Sequence, residues 1–399
     1  MTCPTPTKWL LVLAAVASAA SGCAAASQPA SSPHRARTAA PADEEPSREQ
    51  PTQQVEPMRV AAYTAEALTQ RFERARSQLL VGDYATAAKA FDHLMHLAED
   101  PELRALSRYN SGLAYASLGQ HTTAIARYRM LLQDYPRHPI AKHGLVRLTR
   151  LLGYLERWPQ LEQAAAQLLR RPDLVVMDRI EGYGAQALAR AEQNKLDSAK
   201  VSLSKATALI DKHRFGRSGA PPVQLAQVSF AEGELRRIAS EAIHLTPVPD
   251  NFGAVLEARC QGLLDAQSSY TDAMRSRDAH WSAMSGYRVG QLYQQLHREA
   301  MAIPAPGAPT LKQQRLFRAA MRLRYRILLE KGLRMMAATV ALGERTGQAN
   351  EWTARARESK RQLEQQLQDE KAALAASGYE EEVLRAALDK LKRGAAKVP

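Results

Sequence analysis

The stretch GLAYASLGQHTTAIARYRMLLQDYP, residues 112–136, decides how the rest of the chain is read. Two alanine-rich segments of helical periodicity flank Gly119, and Pro136 ends the second of them. Glycine permits a tight turn and proline stops a helix, so the stretch reads as helix, turn, helix. Three further segments align with it. The first carries Gly82, Asp83 and Tyr84, then Ala87 and Phe91; the third keeps Leu152 and Trp158 but has Glu156 at the turn and Leu161 in place of the small residue. The fourth has Asn194 at the turn, followed by Leu196, Ala199, Leu203 and Ala206. Ala87, Ala124, Leu161 and Ala199 are separated by 37, 37 and 38 residues. A constant interval marks a repeated structural unit and supports its weaker copies. The alternative is four generic helical hairpins that share no superhelix.

Gly112, Tyr115, Gly119, Ala124, Tyr128 and Pro136 together resemble the tetratricopeptide repeat, and the resemblance covers roughly Ala65 to Lys212. It implies that Gly112 and Ala124 sit where the two helices of a unit cross, and that Tyr115 and Tyr128 fill the space between helices. It also implies a superhelix of stacked units with a concave face lined by the first helix of each, where ligands bind. Carried across unit by unit, the groove positions fall on Phe72 and Arg76, then Tyr109 and Leu113, then His143, Val146, Arg150 and Tyr154. Arginine offers charge-assisted bonds and tyrosine a flat surface to an extended peptide. Packing between repeats is the competing role for Tyr109 and Tyr154.

Outward from the repeats, composition points the same way. The chain has 399 residues, 45% of them hydrophobic but only 6% aromatic, and alanine supplies much of the apolar share. Such a mixture favours close-packed helices over sheets, so the expected fold is all-α, with repeats over 61–214 and a helical domain over 221–399. Breaks at residues 215–222 and 247–249 suggest the boundary. A long amphipathic stretch from about Phe252 to Met301 lacks convincing repeat signatures, so the second half reads as a separate helical domain or a divergent continuation of the solenoid. A helix from about Leu311 to Leu342, a charged helix from Trp352 to about Ala376 and a short capping helix from Tyr379 to Lys392 complete it.

At the amino terminus, Lys8 precedes an apolar run from Trp9 to Ala20, long enough to target a chain for export and too short to span a bilayer. The run ends in Ala20, Ser21, Gly22 and Cys23, which resembles the lipobox of bacterial lipoproteins. That resemblance implies a signal peptide over 1–22 and diacylglycerol on Cys23. Ala20 stands where leucine is commoner, and a conventional signal peptide cut after Ala20 or Ala26 is the alternative. Ala24, not an aspartate, follows the cysteine, which by analogy with the sorting rule of enteric bacteria implies the periplasmic side of the outer membrane. Residues 23–60, rich in Pro, Ser, Ala and mixed charge, read as a disordered tether with a reach on the order of 35 Å.

The formal charge is +13, about +12 once Lys8 is removed with the signal peptide. An exported basic chain meets anionic lipid, glycans and acidic proteins rather than nucleic acid. Arg315, Arg318, Arg322 and Arg326 fall at steps of 3, 4 and 4 and define a basic stripe on one helix face. It either docks on an anionic surface or pairs with carboxylates of adjacent helices. Of three cysteines, Cys260 is left without an intramolecular partner.

Chemistry-bearing motifs are scarce. Gly182 and Gly184 form a lone Gly-x-Gly without a preceding strand, and His93 and His96 are a two-residue pair without a third ligand. No nucleophile elbow or zinc-protease motif occurs. The expectation is therefore a non-enzymatic scaffold without cofactor or metal, held at the membrane through Cys23, that binds envelope proteins in an outer-membrane, secretion or motility assembly. The alternative expectations are a binder of anionic envelope polymers or lipid head groups, and a cell-wall hydrolase.

Overall fold

The computed structural model describes residues 64–216, 221–305, 310–347 and 350–395, with side chains through 388. The signal segment, Cys23 and the tether lie outside these residues. Fourteen α-helices and no strands occur among them. The first twelve form six consecutive hairpins, and two further helices follow. The first four are α1 (Ala65–Leu80) with α2 (Tyr84–Leu97), α3 (Pro101–Ser117) with α4 (His121–Asp134), α5 (Pro139–Tyr154) with α6 (Trp158–Leu169), and α7 (Val176–Glu192) with α8 (Leu196–His213). The last two are α9 (Val223–Glu241) with α10 (Phe252–Met274) and α11 (Ala279–Met301) with α12 (Leu311–Thr346); α13 (Glu351–Ala375) then packs on α11 and α12, and α14 (Glu381–Ala395) folds back onto α12, where Leu384 and Leu388 meet Ala319 and Ala320.

The first four hairpins are built as the sequence interval requires. Gly82, Gly119, Glu156 and Asn194 occupy the same turn position, and all four have positive φ, between 54° and 88°. Ala87, Ala124, Leu161 and Ala199 are fully buried at the helix crossings. A Cβ on Gly112 would lie 2.5 Å from the ring of Tyr128, so the hairpin can close only around a residue with no side chain there. Local chemistry sets the helix starts: Asp83, Asp100 and His138 each accept a hydrogen bond from a backbone N–H of the turn that follows.

The second half is a continuation of the same solenoid, not a separate domain. First helices of successive hairpins pack on one another from α1 to α11 and on to α13, while the second helices up to α12 fan apart outside them. The crossing glycine also recurs: a Cβ on Gly233 would lie 2.7 Å from the ring of Tyr270, and one on Gly286 would lie 2.2 Å from Thr339. One hydrophobic core runs from Ala124 through Phe230, Tyr270 and Trp281 to Trp352, crossing the expected boundary at 215–222. The Gly-x-Gly is part of this seam, because Gly184 brings α7 against the backbone of Val228 on α9. The stretch 252–301 is two helices and not one: Arg277 turns the chain at φ 60°, and Asp278 caps α11 through the N–H groups of His280 and Trp281.

Candidate protein-binding face

Because first helices pack on one another, their solvent-facing sides line the inner face of the solenoid. The residues expected in the groove have different fates there. Phe72 is buried and packs edge-on against Phe91, 5.5 Å between ring centres, so it is core and not groove. Arg76 is exposed and pairs with Glu73 one turn earlier. Arg150 forms a bidentate ion pair with Glu181 of α7, whose side chain is 2% exposed. Both hydrogen-bonding edges of the carboxylate are engaged, so Arg150 ties two hairpins together and is not a peptide contact.

Tyr154 is covered by the chain itself. Its ring stacks on His280 at 4.4 Å and meets Trp281 at 5.0 Å, its hydroxyl donates to Asp278 at 3.1 Å, and its carbonyl accepts from the indole N–H of Trp352. Burial and the neighbouring Asp278 carboxylate push its hydroxyl well above the ordinary tyrosine range. The sixth hairpin and α13 therefore curl back and fill the inner face at the third hairpin. What remains open is smaller: Leu113 and Val146 are half-buried, His143 is exposed, and Tyr109 stands edge-on to His143 at 6.4 Å. The structure brings this set together on α3 and α5.

Sequence reading missed the charged seam that holds the closure. Glu156, at the third turn, accepts from Arg288 of α11 and Arg355 of α13, at 3.3 and 2.7 Å. Arg288 continues to the fully buried Glu234 at 2.8 Å, which is also held by Arg237 at 2.6 Å, and Arg237 reaches Glu192 at 3.3 Å. The signal was present in Glu156 itself. A glutamate in the left-handed region costs about 1–2 kcal/mol relative to glycine, and a side chain used for two ion pairs accounts for its presence.

The seam also holds a carboxyl in its neutral form. Burial, then the adjacent Glu234 carboxylate, pushes Glu192 up to about 8, whereas Arg288 and Arg237 outweigh burial and hold Glu234 low, at about 2. An unfolded chain releases the Glu192 proton above about pH 4.5, while the folded chain keeps it until about pH 8. Stability attributable to this group therefore falls as pH rises through that window. Glu192→Gln is expected to match the wild type near pH 5 and to exceed it by about 1–2 kcal/mol at pH 8.5. Denaturant titrations of both proteins across pH 5–9 check this, and parallel curves would refute it.

The basic stripe is only half free. Arg322 pairs with Glu370 at 2.9 Å and Arg326 with Glu330 at 3.1 Å, while Arg315 and Arg318 are exposed and have no ion pair among the described residues. Pairing with a carboxylate of an adjacent helix thus holds for Arg322, whereas Arg326 pairs within its own helix. His93 and His96 are exposed on α2, and no group of three metal-binding side chains occurs among the described residues. Cys260 is half-buried, and burial pushes its thiol up.

No protein-family model matches the chain. Among curated proteins it is similar to Photosystem I assembly protein Ycf3 of Synechococcus elongatus, 33% identical over 72 residues, which is 18% of this chain and 42% of that one. Ycf3 of Cyanophora paradoxa is 28% identical over 117 residues, 29% of this chain and 63% of that one. The chain thus matches less than two thirds of the length of these relatives. Among solved structures, a tetratricopeptide repeat protein from Parabacteroides merdae aligns with 75% of this chain and 99% of its own, at 12% identity and a TM-score of 0.41. The TPR2AB-domain:pHSP90-complex of yeast Sti1 aligns with 79% of this chain at 13% identity and a TM-score of 0.23.

Proposed function

We propose that this protein is a scaffold that holds an extended segment of another protein against the open inner face of its second and third hairpins. One observation carries the reading: Tyr109, Leu113, His143 and Val146 remain accessible on adjacent first helices, while the neighbouring inner face is filled by the chain's own Tyr154, Trp281 and Trp352. A flat aromatic, an imidazole and two aliphatic side chains give a peptide both apolar contact and hydrogen bonds, at low cost in side-chain entropy. Similarity to a protein named for assembling a larger complex supports an assembly role over an enzymatic one.

The export signal and Ala20-Ser21-Gly22-Cys23 support a lipid-anchored position in a bacterial envelope, with the outer membrane as the destination. The partner is then an envelope protein. Crosslinking in cells followed by affinity purification, comparing the wild type with a Tyr109→Ala, His143→Ala variant, tests both parts. A defined set of envelope proteins should fall at least tenfold in the variant, since hot-spot aromatic contacts are each worth about 1.4 kcal/mol or more. An unchanged set, with the variant folded and lipidated, sinks the assignment; a set of cytosolic proteins sinks the location.

A further inference from the structure

Charge on this protein is concentrated in one helix. α12 carries nine basic and two acidic residues, so its net charge is +7 against +13 for the whole chain. Both acids are engaged elsewhere: Glu330 pairs with Arg326, and Glu344 with Arg357 at 3.7 Å. Arg324, Lys331, Arg334 and Arg345 carry no ion pair among the described residues, and they differ from the stripe expected from the sequence. With Ile327, which is 44% exposed, they recur at steps of 3, 4, 3 and 11 residues, so they share one side of the helix. Exposed Ala338 and Ala341 fill the gap in the same register, and no acid interrupts the run. It extends over about 32 Å at 1.5 Å per residue.

The surroundings of this line do not neutralise it. Lys331 holds its ammonium 5.5 Å from the ring centre of Tyr293, whose hydroxyl donates to Gln267 of α10. Arg324 lies over the Tyr325 ring and acts on the half-buried Cys260 thiol of α10. Burial, and then Arg334, keeps the Lys331 amine below the ordinary lysine range. The direct contacts on the α10 side are a thiol and an amide, the charges of Glu257 and Arg259 that also act on the thiol oppose each other, and α10 and α12 are second helices that diverge outside the inner layer. A single file of cations along the furrow between two diverging helices suits a rod and not a plane.

We propose that the outer furrow between α10 and α12 binds an acidic segment of a protein partner, with Arg324, Lys331, Arg334 and Arg345 paired to its carboxylates. The line is one residue wide and has the spacing by which one helix addresses another, and Ala338 and Ala341 allow close approach of a second backbone. A bilayer would need a broad apolar area, and Ile327 is the single bulky apolar side chain in the line. This surface is separate from the inner face, and the proposal rests on the reading of the chain as a scaffold for proteins.

The test uses the full chain, a helical peptide of about 21 residues with glutamate at the spacing of the line, its glutamine counterpart, and phosphatidylglycerol vesicles. The glutamate peptide should bind at least tenfold tighter than the glutamine peptide at low salt, with the advantage shrinking as ionic strength rises. Arg324→Ala with Arg334→Ala should remove most of that advantage, while Arg315→Ala with Arg318→Ala, on another side of α12, and Tyr109→Ala on the inner face should leave it intact. Circular dichroism confirms that each variant is folded. Equal binding of the two peptides, or no binding, overturns the proposal. So does vesicle binding that depends on Arg324 and Arg334 while the peptide is ignored. Loss of partners from the Tyr109 variant alone would leave the inner-face reading standing whichever way this result falls.

Discussion

Arg150→Ala is expected to destabilise the middle of the solenoid by about 3–5 kcal/mol at pH 8, the range for breaking a buried ion pair by removing one member. Glu181 is 1% exposed, and Arg150 supplies both of its hydrogen bonds. Burial outweighs Arg150 even in the intact pair, so the Glu181 carboxyl titrates above its ordinary range. Without the guanidinium, burial and the Asp178 carboxylate are opposed only by the more distant charge of Arg147 on α5, which makes no hydrogen bond to Glu181 among the described residues. The loss then depends on pH. A folded-state carboxyl whose proton affinity has risen releases its proton later than the unfolded chain does, so stability falls as pH climbs above about 4.5. The deficit should therefore be smallest near pH 5 and largest near pH 8. Glu181→Leu combined with Arg150→Ala should recover most of it, because an apolar pair leaves no uncompensated charge. Denaturant midpoints for the two single variants and the double variant close the cycle. A deficit below about 1 kcal/mol at pH 8 would mean that water reaches Glu181, and would restore Arg150 as a candidate ligand contact.

The contrast between Arg150 and Tyr109 shows where the sequence stops being legible. Hairpin geometry is local: the turn residues Gly82 and Gly119 and the crossing residues Ala87 and Ala124 act within one repeat, and their steric reasons are visible in their identities. Groove membership is not local. Whether a first-helix position is open depends on what packs over it, and Tyr154 is covered by residues more than a hundred positions later. The hairpins after α8 were hidden for a related reason. Their helices reach 23 and 36 residues, so the interval near 37 is lost although Gly233 and Gly286 still mark the crossings. Charge divides along the same line. Helical phase places Arg315, Arg318, Arg322 and Arg326 on one face, and the i,i+4 partner Glu330 of Arg326 is legible there, but Glu370, which pairs with Arg322, lies on another helix.

Trp352→Ala should open the closed part of the inner face. The Trp352 ring is 2% exposed, lies 4.5 Å from the Arg355 guanidinium and 5.6 Å from that of Arg288, and meets the Tyr287 ring edge-on. Its indole N–H donates to the Tyr154 carbonyl across the solenoid at 2.9 Å. Removing a buried tryptophan costs about 3–5 kcal/mol, and the cavity would lie where Glu156, Arg288 and Arg355 meet. Solenoids are stabilised by nearest-neighbour contacts, so the cost should fall on the attachment of the sixth hairpin and α13 to the third hairpin and not on the first two. Hydrogen exchange should therefore accelerate in α13 and at the carboxyl end of α5, while α1 to α4 keep their protection. Trp352→Phe, which keeps most of the packing and loses the hydrogen bond, should cost about 1–2 kcal/mol and leave the closure largely intact. If the released Tyr154 then binds the peptide segment that Tyr109 and His143 hold, affinity for that segment should rise in Trp352→Ala and not in Trp352→Phe. Uniform acceleration of exchange along the whole chain would instead mean that the stacked helices unfold as one unit and that Trp352 supports the solenoid as a whole.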